Sequence, residues 1–356
     1  MPTQKVTLQQ IATAAGCSKA TVSVVLSGAA GNIAVSPATA DNIRDIARRL
    51  GYSGNYHARS LSTGRASAIG LLVGTGFQES RHSGLTGQLI DGIDACVRAH
   101  GYDLLILSAV DDEDDLARGA RYLRQQRIDA LIVPGLTYRA SSRRWPSADT
   151  PLVIAMAVED SPFPAVYLDQ HAALHDAIEH LTSLGHRSVL WTSVRQEGHL
   201  TSPARYAAFF SVAQACGIHV EECWFEYARN EQPSTMLGQI ADYRDRFTGY
   251  LARQALPTAI FAYNEVAGFG IYQALAAIGL RVPKDVSVIG FDDLWGELAV
   301  PPMSVISLNF REIGRQAAEL ALEIAGGAAV SPSLSRTVAA TFVIRESTAR
   351  ASLVQA

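Results

Sequence analysis

The stretch Thr7–Ser27, TLQQIATAAGCSKATVSVVLS, decides the fold of the first part of the chain, because it predicts two short helices joined by a turn. Thr7 is a favourable N-cap, and Gln10 follows three residues later, as a capping box requires. Gly16 stands where a helix can end, and Ser18 can cap the helix that follows. A unit of this kind can place one exposed helix in the major groove of DNA.

A third predicted helix completes a small domain. Ser36 and Pro37 form a cap followed by proline at the first helical position. The apolar stripe of this helix consists of Ile43, Ile46, Ala47 and Leu50. Three short helices in about fifty residues bury only a small core, which suits a DNA-reading headpiece better than an enzyme.

The charge of the chain is divided unevenly. Residues 1–66 contain seven lysines and arginines against two aspartates, a net charge of +5, whereas the whole chain has −4, which leaves −9 for the remainder. A basic head on an acidic body is expected when only the head touches phosphate. A helical domain with a solvated basic face remains the alternative at this point.

The quoted stretch resembles the headpiece of the LacI/GalR family of transcription regulators. Residues 52–73, YSGNYHARSLSTGRASAIGLLV, continue the resemblance, which extends to about Ser347. It implies a helix-turn-helix headpiece, a hinge helix with linker, an effector-binding body and a C-terminal tail. Their expected bounds are 1–53, 54–65, 66–346 and 347–356.

In the body, short β-branched or aliphatic runs alternate with amphipathic helical patterns, which predicts parallel sheets covered by helices on both faces. The resemblance implies a periplasmic-binding-protein-like body of two Rossmann-like subdomains, between which the chain crosses three times. The expected N-subdomain is 66–164 plus 297–326, and the expected C-subdomain is 165–296 plus 327–346. The strongest motif is residues 255–293, ALPTAIFAYNEVAGFGIYQALAAIGLRVPKDVSVIGFDD.

By the same resemblance, Arg205, Asn264 and Asp292 hold a small-molecule effector in the cleft between the subdomains. A carboxylate accepts paired hydroxyls and a guanidinium donates a fork of hydrogen bonds, so this trio suits a sugar or a related metabolite. The alternative is that the three side chains only stabilise the interface between the subdomains.

The front of the cleft departs from the family pattern. Leu85 and Thr86 stand where many members have an adjacent aromatic pair, and the loop Gly74–Gly84 is longer. The residues that can replace the aromatic pair as ligand contacts are Phe77, Gln78 and His82, although a solvated loop is an equally good interpretation. Glu265 stands where aspartate is common.

The resemblance also assigns the DNA contacts. Lys19, Ala20 and Val24 occupy the base-reading positions, where lysine can bond guanine and the two apolar side chains can contact a thymine methyl group. Val24 replaces a polar residue of some relatives, so base specificity cannot be transferred from them. The loop Gly28–Val35 is also longer than in the family pattern. The residues placed to bond phosphate are Thr7, Ser18, Thr21 and Ser23.

Asn55–Ser62 is too short for a stable isolated helix, so it should order only when two copies meet on DNA. Leu61 matches the family's minor-groove wedge, Ala58 is small enough to pair closely with its copy, and Arg59 can reach phosphate. The alternative for Leu61 is a linker residue packed on the body.

The sequence gives little support for a dinucleotide cofactor or for a metal site. Gly74–Gly76 is followed by Glu79, and a carboxylate there would repel a dinucleotide pyrophosphate. Residues 111–115 form an acidic helix start, and His171 with His175 lacks an HExxH motif. The four cysteines show no CxxC spacing. We therefore expect no cofactor and no metal.

The basic head and the α/β body, together with the family resemblance, imply a homodimeric, effector-controlled repressor that binds palindromic half-sites in double-stranded DNA. The N-terminus shows no signal peptide and no apolar run spans a membrane, so the expected location is cytoplasmic, at the nucleoid, without membrane contact. A sugar-binding transport protein would share the body but would need an export signal and no basic head. An enzyme would need a nucleophile with its base or a phosphate loop, and the sequence predicts neither.

Overall fold

The computed structural model describes residues 6–27, 34–52, 60, 64–73, 84–108, 112–135, 149–157, 160–196, 201–228, 231–233 and 235–351. The chain forms two compact units that divide between Ser67 and Ala68. Among the described helices, none has both the length and the apolar character needed to cross a bilayer.

The first unit contains three helices, α1 (Leu8–Ala15), α2 (Lys19–Ser27) and α3 (Pro37–Arg49). The predicted capping box is confirmed: the Thr7 N–H donates to Gln10 Oε1 at 2.8 Å, and Thr7 Oγ1 accepts from the Gln10 N–H at 3.4 Å. Gly16 ends α1 with φ +64°, the left-handed conformation that glycine adopts without strain. The buried core side chains are Ile11, Ala12, Val22, Ile43, Ile46 and Ala47.

The second unit alternates strands and helices. In chain order its elements are β1 (Ala68–Val73), α4 (Leu85–Ala99), β2 (Asp103–Ser108), α5 (Asp112–Arg124), β3 (Ala130–Pro134), β4 (Leu152–Ala157), β5 (Ala165–Asp169), α6 (His171–Ser183), β6 (Ser188–Gln196), α7 (Thr201–Ala215), β7 (His219–Tyr227), α8 (Met236–Leu251), β8 (Ala259–Ala262), α9 (Glu265–Ala277), β9 (Ser287–Asp292), β10 (Ser304–Ser307), α10 (Phe310–Ala325), β11 (Arg336–Ala339) and β12 (Thr341–Val343). Short 3₁₀ turns lie at Gly296–Leu298 and Pro332–Leu334.

The strands form two six-stranded sheets, as the alternation of strands and helices predicts. Sheet A has the order β11-β5-β4-β3-β1-β2, and sheet B has the order β12-β10-β9-β8-β6-β7. Neighbouring strands are parallel throughout, except that β12 runs antiparallel to β10. The body is therefore the two-subdomain α/β fold that the sequence analysis expects.

The expected crossing points between the subdomains were wrong. Residues 165–169 and 336–339 belong to sheet A, although both were expected in the C-subdomain, and residues 304–307 belong to sheet B rather than to the N-subdomain. The chain therefore crosses after Asp169, after Ser307 and at Ala340. The reason is pairing between distant strands: Arg336 lies opposite Val166 in sheet A, a contact that the strand's own sequence does not reveal.

The three crossings meet at one place. The Ala340 N–H donates to the Asp169 carbonyl at 2.7 Å, and Asn309 Nδ2 donates to the Ala339 carbonyl at 2.9 Å. Only Ala340 separates the end of β11 in sheet A from the start of β12 in sheet B.

Helices α4 and α10 pack against each other at the face of sheet A, and two glycines allow the close approach. A Cβ on Gly92 would lie 2.0 Å from the Arg311 carbonyl oxygen, and a Cβ on Gly314 would lie 2.2 Å from the Leu89 carbonyl oxygen. Both distances are below any van der Waals contact, so the two backbones touch where side chains would otherwise separate them.

The last described residues are fixed to sheet B by a buried histidine. His186, which is 1% exposed, donates from Nε2 to the Ala349 carbonyl at 3.0 Å and accepts at Nδ1 from the Thr258 hydroxyl at 3.0 Å. Ser287 Oγ lies 3.2 Å from the same Nε2. Burial lowers the pKa of the ring from the ordinary 6.5, which favours its neutral form.

Acidification should therefore weaken the fold through His186. As the pH falls below about 6.5, the unfolded chain takes up a proton that the native ring resists, so stability falls. Urea midpoints at pH 7.5 and 5.5 measure the effect: His186→Gln should reduce the acid-induced drop. The control His175→Gln changes a side chain that is 57% exposed and should leave the drop unchanged. An equal drop in wild type and His186→Gln would contradict this prediction.

Candidate functional site

The base-reading candidates lie on the outer side of α2. Lys19 and Ala20 are exposed and Val24 is half-buried, and none of the three belongs to the headpiece core. The opposite side of the helix packs inward through Val22, Val25 and Leu26, as the sequence pattern predicts. A helix anchored on one side and open on the other can enter a groove without disturbing its own core.

Three of the four hydroxyl groups predicted to bond phosphate form contacts within the headpiece. Ser18 Oγ accepts from the Thr21 N–H at 3.0 Å and lies 2.8 Å from Thr21 Oγ1, so it caps the start of α2. Thr7 caps α1 in the same way, and Ser23 is half-buried. The N-terminus of a helix attracts anions, which is compatible with phosphate binding at these caps.

Several predicted residues cannot be placed. The hinge candidates Ala58, Arg59 and Leu61 lie outside the described residues, as do the cleft candidates Phe77, Gln78 and His82.

In the body, the predicted effector residues converge at the carboxyl ends of two neighbouring strands. Arg205 on α7 donates from Nη2 to Asp292 Oδ1 at 2.6 Å and from Nη1 to the Tyr263 carbonyl at 2.5 Å. The Arg205 and Asp292 side chains are 12% and 7% exposed. Tyr263 follows β8 and Asp292 ends β9, and such strand ends commonly form ligand sites in α/β folds.

Burial and the charge of Arg205 have opposite effects on the pKa of Asp292. Burial raises the pKa of the Asp292 carboxyl above its ordinary value, and the charge and hydrogen bond of Arg205 oppose the rise. The Arg205 guanidinium carbon also lies 5.1 Å from the centre of the Phe291 ring, a favourable cation–π distance. The result is a nearly buried ion pair whose polar groups face the strand ends.

Asn264 caps the helix that follows β8. Its Oδ1 accepts from the Ala267 N–H at 2.8 Å at the start of α9. Asn264 directly follows Tyr263, whose carbonyl accepts from Arg205, so the backbone of Asn264 lies close to the pair that Arg205 forms with Asp292.

The backbone at the end of β9 adopts an unusual conformation. Asp292 has φ +100° and Asp293 has φ +69°, values that residues other than glycine rarely adopt. Asp293 is held by Arg345, whose Nη2 donates to Asp293 Oδ1 at 2.6 Å. Strain of this kind often marks a functional site because the surrounding structure must maintain it.

Three contributors to this region were not predicted from the sequence. The Tyr263 carbonyl binds Arg205, a role that backbone atoms do not reveal in a sequence. Glu265 is almost fully buried, at 1% exposure, rather than only a mild departure from a family pattern. Trp295 lies near Gly84, so an aromatic side chain is adjacent to Leu85 and Thr86 although those positions lack one. The departure at Glu265 was the signal available in the sequence.

One cluster of metal-type side chains occurs on α6 among the described residues, formed by His175, Asp176 and Glu179. All three are exposed, and an exposed set of this kind on one helix is ordinary surface.

Comparison with known families divides the chain in the same way. The family described as "Bacterial regulatory proteins, lacI family" matches residues 7–55, and the "Periplasmic binding protein-like domain" matches residues 178–348. These matches cover the headpiece and most of the second half of the body.

Curated relatives match most of the chain. HTH-type transcriptional regulator DegA of Bacillus subtilis is 27% identical over 319 residues, covering 88% of this chain and 89% of DegA. PtxS of Pseudomonas putida, also an HTH-type transcriptional regulator, is 28% identical, covering 89% and 88%. HTH-type transcriptional repressor PurR of Haemophilus influenzae is 26% identical, covering 89% and 90%. These relatives are transcriptional regulators and not enzymes.

Solved structures share the fold. The lac repressor dimer bound to operator and the anti-inducer ONPF has a TM-score of 0.75 at 20% identity, covering 97% of this chain and 100% of that one. A regulator of the same family from Bifidobacterium animalis subsp. lactis has a TM-score of 0.64 at 25% identity, covering 81% and 100%.

Proposed function

Because this chain belongs to the LacI family of DNA-binding transcriptional regulators, we propose that it is a homodimeric repressor controlled by a small polar effector. The observation that carries the effector proposal is the ion pair of Arg205 and Asp292 beside Asn264. The match of residues 7–55 to a DNA-binding family leaves the transport-protein alternative without support.

The chemistry of the pair favours a polyhydroxylated ligand. The Asp292 carboxylate can accept bonds from two neighbouring hydroxyl groups, while Arg205 donates to a ligand oxygen. A ligand that supplies hydroxyl donors to Asp292 and an oxygen acceptor to Arg205 replaces the hydrogen bonds between these two side chains. Neither buried charge is then left without a partner. Sugars and related metabolites have this pattern of adjacent hydroxyl groups.

For the DNA end we propose that α2 lies in the major groove. Lys19 donates to guanine O6 or N7, whereas Ala20 and Val24 contact thymine methyl groups. Two headpieces reach the half-sites of a palindrome when the hinge segments pair, with Ala58 at the pairing face, Arg59 on phosphate and Leu61 as a minor-groove wedge. Thr7, Ser18, Thr21 and Ser23 fix the position of the headpiece through phosphate contacts.

Effector control then follows from differential affinity. A ligand that binds the protein more tightly at one degree of subdomain closure shifts the population toward that state. If that state separates the two hinge segments, operator affinity falls; if it brings them together, operator affinity rises.

The regulator proposal is tested by fluorescence anisotropy on DNA from upstream of the protein's own gene, with a scrambled duplex as control. Specific binding should weaken by at least about 100-fold between 50 and 200 mM salt, because several phosphate contacts release counterions. The absence of salt-sensitive specific binding to any fragment from the upstream region and neighbouring promoters would contradict it.

Leu61→Ala should weaken operator binding by about 10-fold or more while leaving binding to the scrambled duplex almost unchanged, because a wedge acts only on a deformed site. The matched control is Leu50→Ala, since Leu50 is an exposed leucine of the headpiece at 43% exposure. Equal losses on both DNAs in Leu61→Ala would rule out the wedge.

A further inference from the structure

The Glu265 carboxylate collects three consecutive backbone amides. Its Oε2 accepts from the Leu294 N–H at 2.9 Å and from the Trp295 N–H at 2.8 Å, and its Oε1 accepts from the Gly296 N–H at 2.8 Å. Amides that converge on one oxygen pair form an anion-binding nest, which here is filled by a side chain of the same protein. Glu265 begins α9, immediately after the Asn264 cap.

The segment is shaped around this carboxylate. A Cβ on Gly296 would lie 2.8 Å from Glu265 Oε1 and 2.9 Å from Arg345 Nη1, so a larger residue would displace these two side-chain ends. Burial raises the pKa of Glu265 to about 7, and the three donated hydrogen bonds oppose the rise. A carboxylate held in so dry a place needs these bonds.

The amides held by Glu265 directly follow the strained end of β9. Asp292 points to Arg205, and Asp293 points to Arg345, which also donates from Nη1 to the Met303 carbonyl at 2.8 Å. Two successive residues with positive φ persist only where bonds on both sides hold them. Arg345 supplies one such anchor, and Glu265 supplies the other.

The same segment reaches the sheet A subdomain. A Cβ built on Gly84, the residue before α4, would lie 3.0 Å from Trp295 Cζ2 and 3.6 Å from Leu294 Cδ1. The side chains of Leu294 and Trp295, two of the three residues whose amides bind Glu265, therefore lie against the start of α4.

We propose that Glu265 is a positioning residue that holds residues 292–296 as one rigid piece, with Asp292 against Arg205 at one end and Trp295 against Gly84 at the other. The inference rests on the proposed function only in regarding Arg205 and Asp292 as the effector site. A change at Asp292 is thereby transmitted to the start of α4 through a short, fully bonded segment. Aspartate, shorter by about 1.5 Å, would not reach all three amides.

The test uses NMR at pH 8, above the pKa of Glu265, on the full chain without effector or DNA. Selective ¹⁵N labelling of tryptophan gives four backbone amide signals, because the chain has four tryptophans, and Trp295→Phe identifies that of Trp295. Labelling of arginine gives the guanidinium signals, and Arg205→Lys identifies that of Arg205. In Glu265→Gln, the Trp295 amide proton should move upfield by several tenths of a ppm, because a neutral oxygen accepts more weakly, and the Arg205 signal should shift or broaden.

The matched control is Glu297→Gln, which removes a carboxylate just after residues 292–296. This side chain is 82% exposed and lies 3.8 Å from Arg345 Nη2, a distant surface pair whose loss should leave both signals in place. A Glu265→Gln spectrum with the Trp295 amide moved and the Arg205 signal unchanged would overturn the proposal, since Glu265 would then only cap the loop. An unchanged Trp295 amide would overturn it as well. If Glu265→Gln does not fold, Glu265→Asp takes its place, and the Trp295 amide and Arg205 guanidinium signals are read in the same way. Failure of DNA or sugar binding would leave this result intact.

Discussion

Asp292→Asn should abolish the response to effector and lower the free energy of unfolding by about 3 kcal/mol, while operator binding in the absence of effector persists. Asparagine matches aspartate in shape and tolerates a positive φ, so the substitution removes the charge and little else. It leaves the Arg205 guanidinium nearly buried without a counter-charge, which is the costly way to break such a pair. The ligand also loses its strongest acceptor.

A thermal-shift screen of sugars and polyols identifies the effector on the wild type, and the same compound is then tested on Asp292→Asn by anisotropy with operator DNA. Combining Arg205→Met with Asp292→Asn should recover part of the lost stability, because no buried charge remains. The control Glu226→Gln breaks an exposed pair with Arg195 and should cost less than about 1 kcal/mol. A fully responsive Asp292→Asn protein would remove Asp292 from the site.

Gly314→Ala should lower the free energy of unfolding by about 3 kcal/mol, the upper part of the range for overpacking. The added Cβ would meet the Leu89 carbonyl at 2.2 Å, and a backbone atom of a packed helix cannot turn aside as a flexible side chain can. Helices α4 and α10 would have to separate along their contact, which opens gaps around the crossing.

Gly87→Ala is the matched control for this prediction. Gly87 lies on α4, and a Cβ there would meet no atom within 4 Å, so the helix propensity of alanine should make the variant neutral or slightly more stable. Urea unfolding followed by circular dichroism measures both variants. If Gly314→Ala were as stable as Gly87→Ala, the close crossing of α4 and α10 would not exist as described.

Local signals made the headpiece predictable from sequence. The capping box joins residues only three apart, and Gly16 ends its helix by its own backbone conformation, so each signal is contained in the stretch that carries it. The alternation of strands and helices likewise predicts two covered parallel sheets, because the hydrophobic period of each element is local.

Features that depend on contacts between residues far apart in the chain could not be predicted from the sequence. The membership of β11 in sheet A rests on contacts with β5, and Glu265 meets amides about thirty residues further along the chain. The convergence of Arg205 and Asp292 could be expected from the family resemblance alone. The Tyr263 carbonyl, in contrast, has no side-chain signal at all.

The joining of the three crossings constrains how the body can move. With one residue between β11 and β12, the facing ends of these two strands can lie no more than about 7 Å apart, the reach of two Cα–Cα steps. The bonds from Ala340 to Asp169 and from Asn309 to Ala339 fasten the other two connections to the same spot. These connections oppose sliding of one sheet past the other. The movement that they permit is rotation of the two subdomains about a hinge at Ala340. A small rotation about this hinge moves most the residues of each subdomain that lie farthest from Ala340.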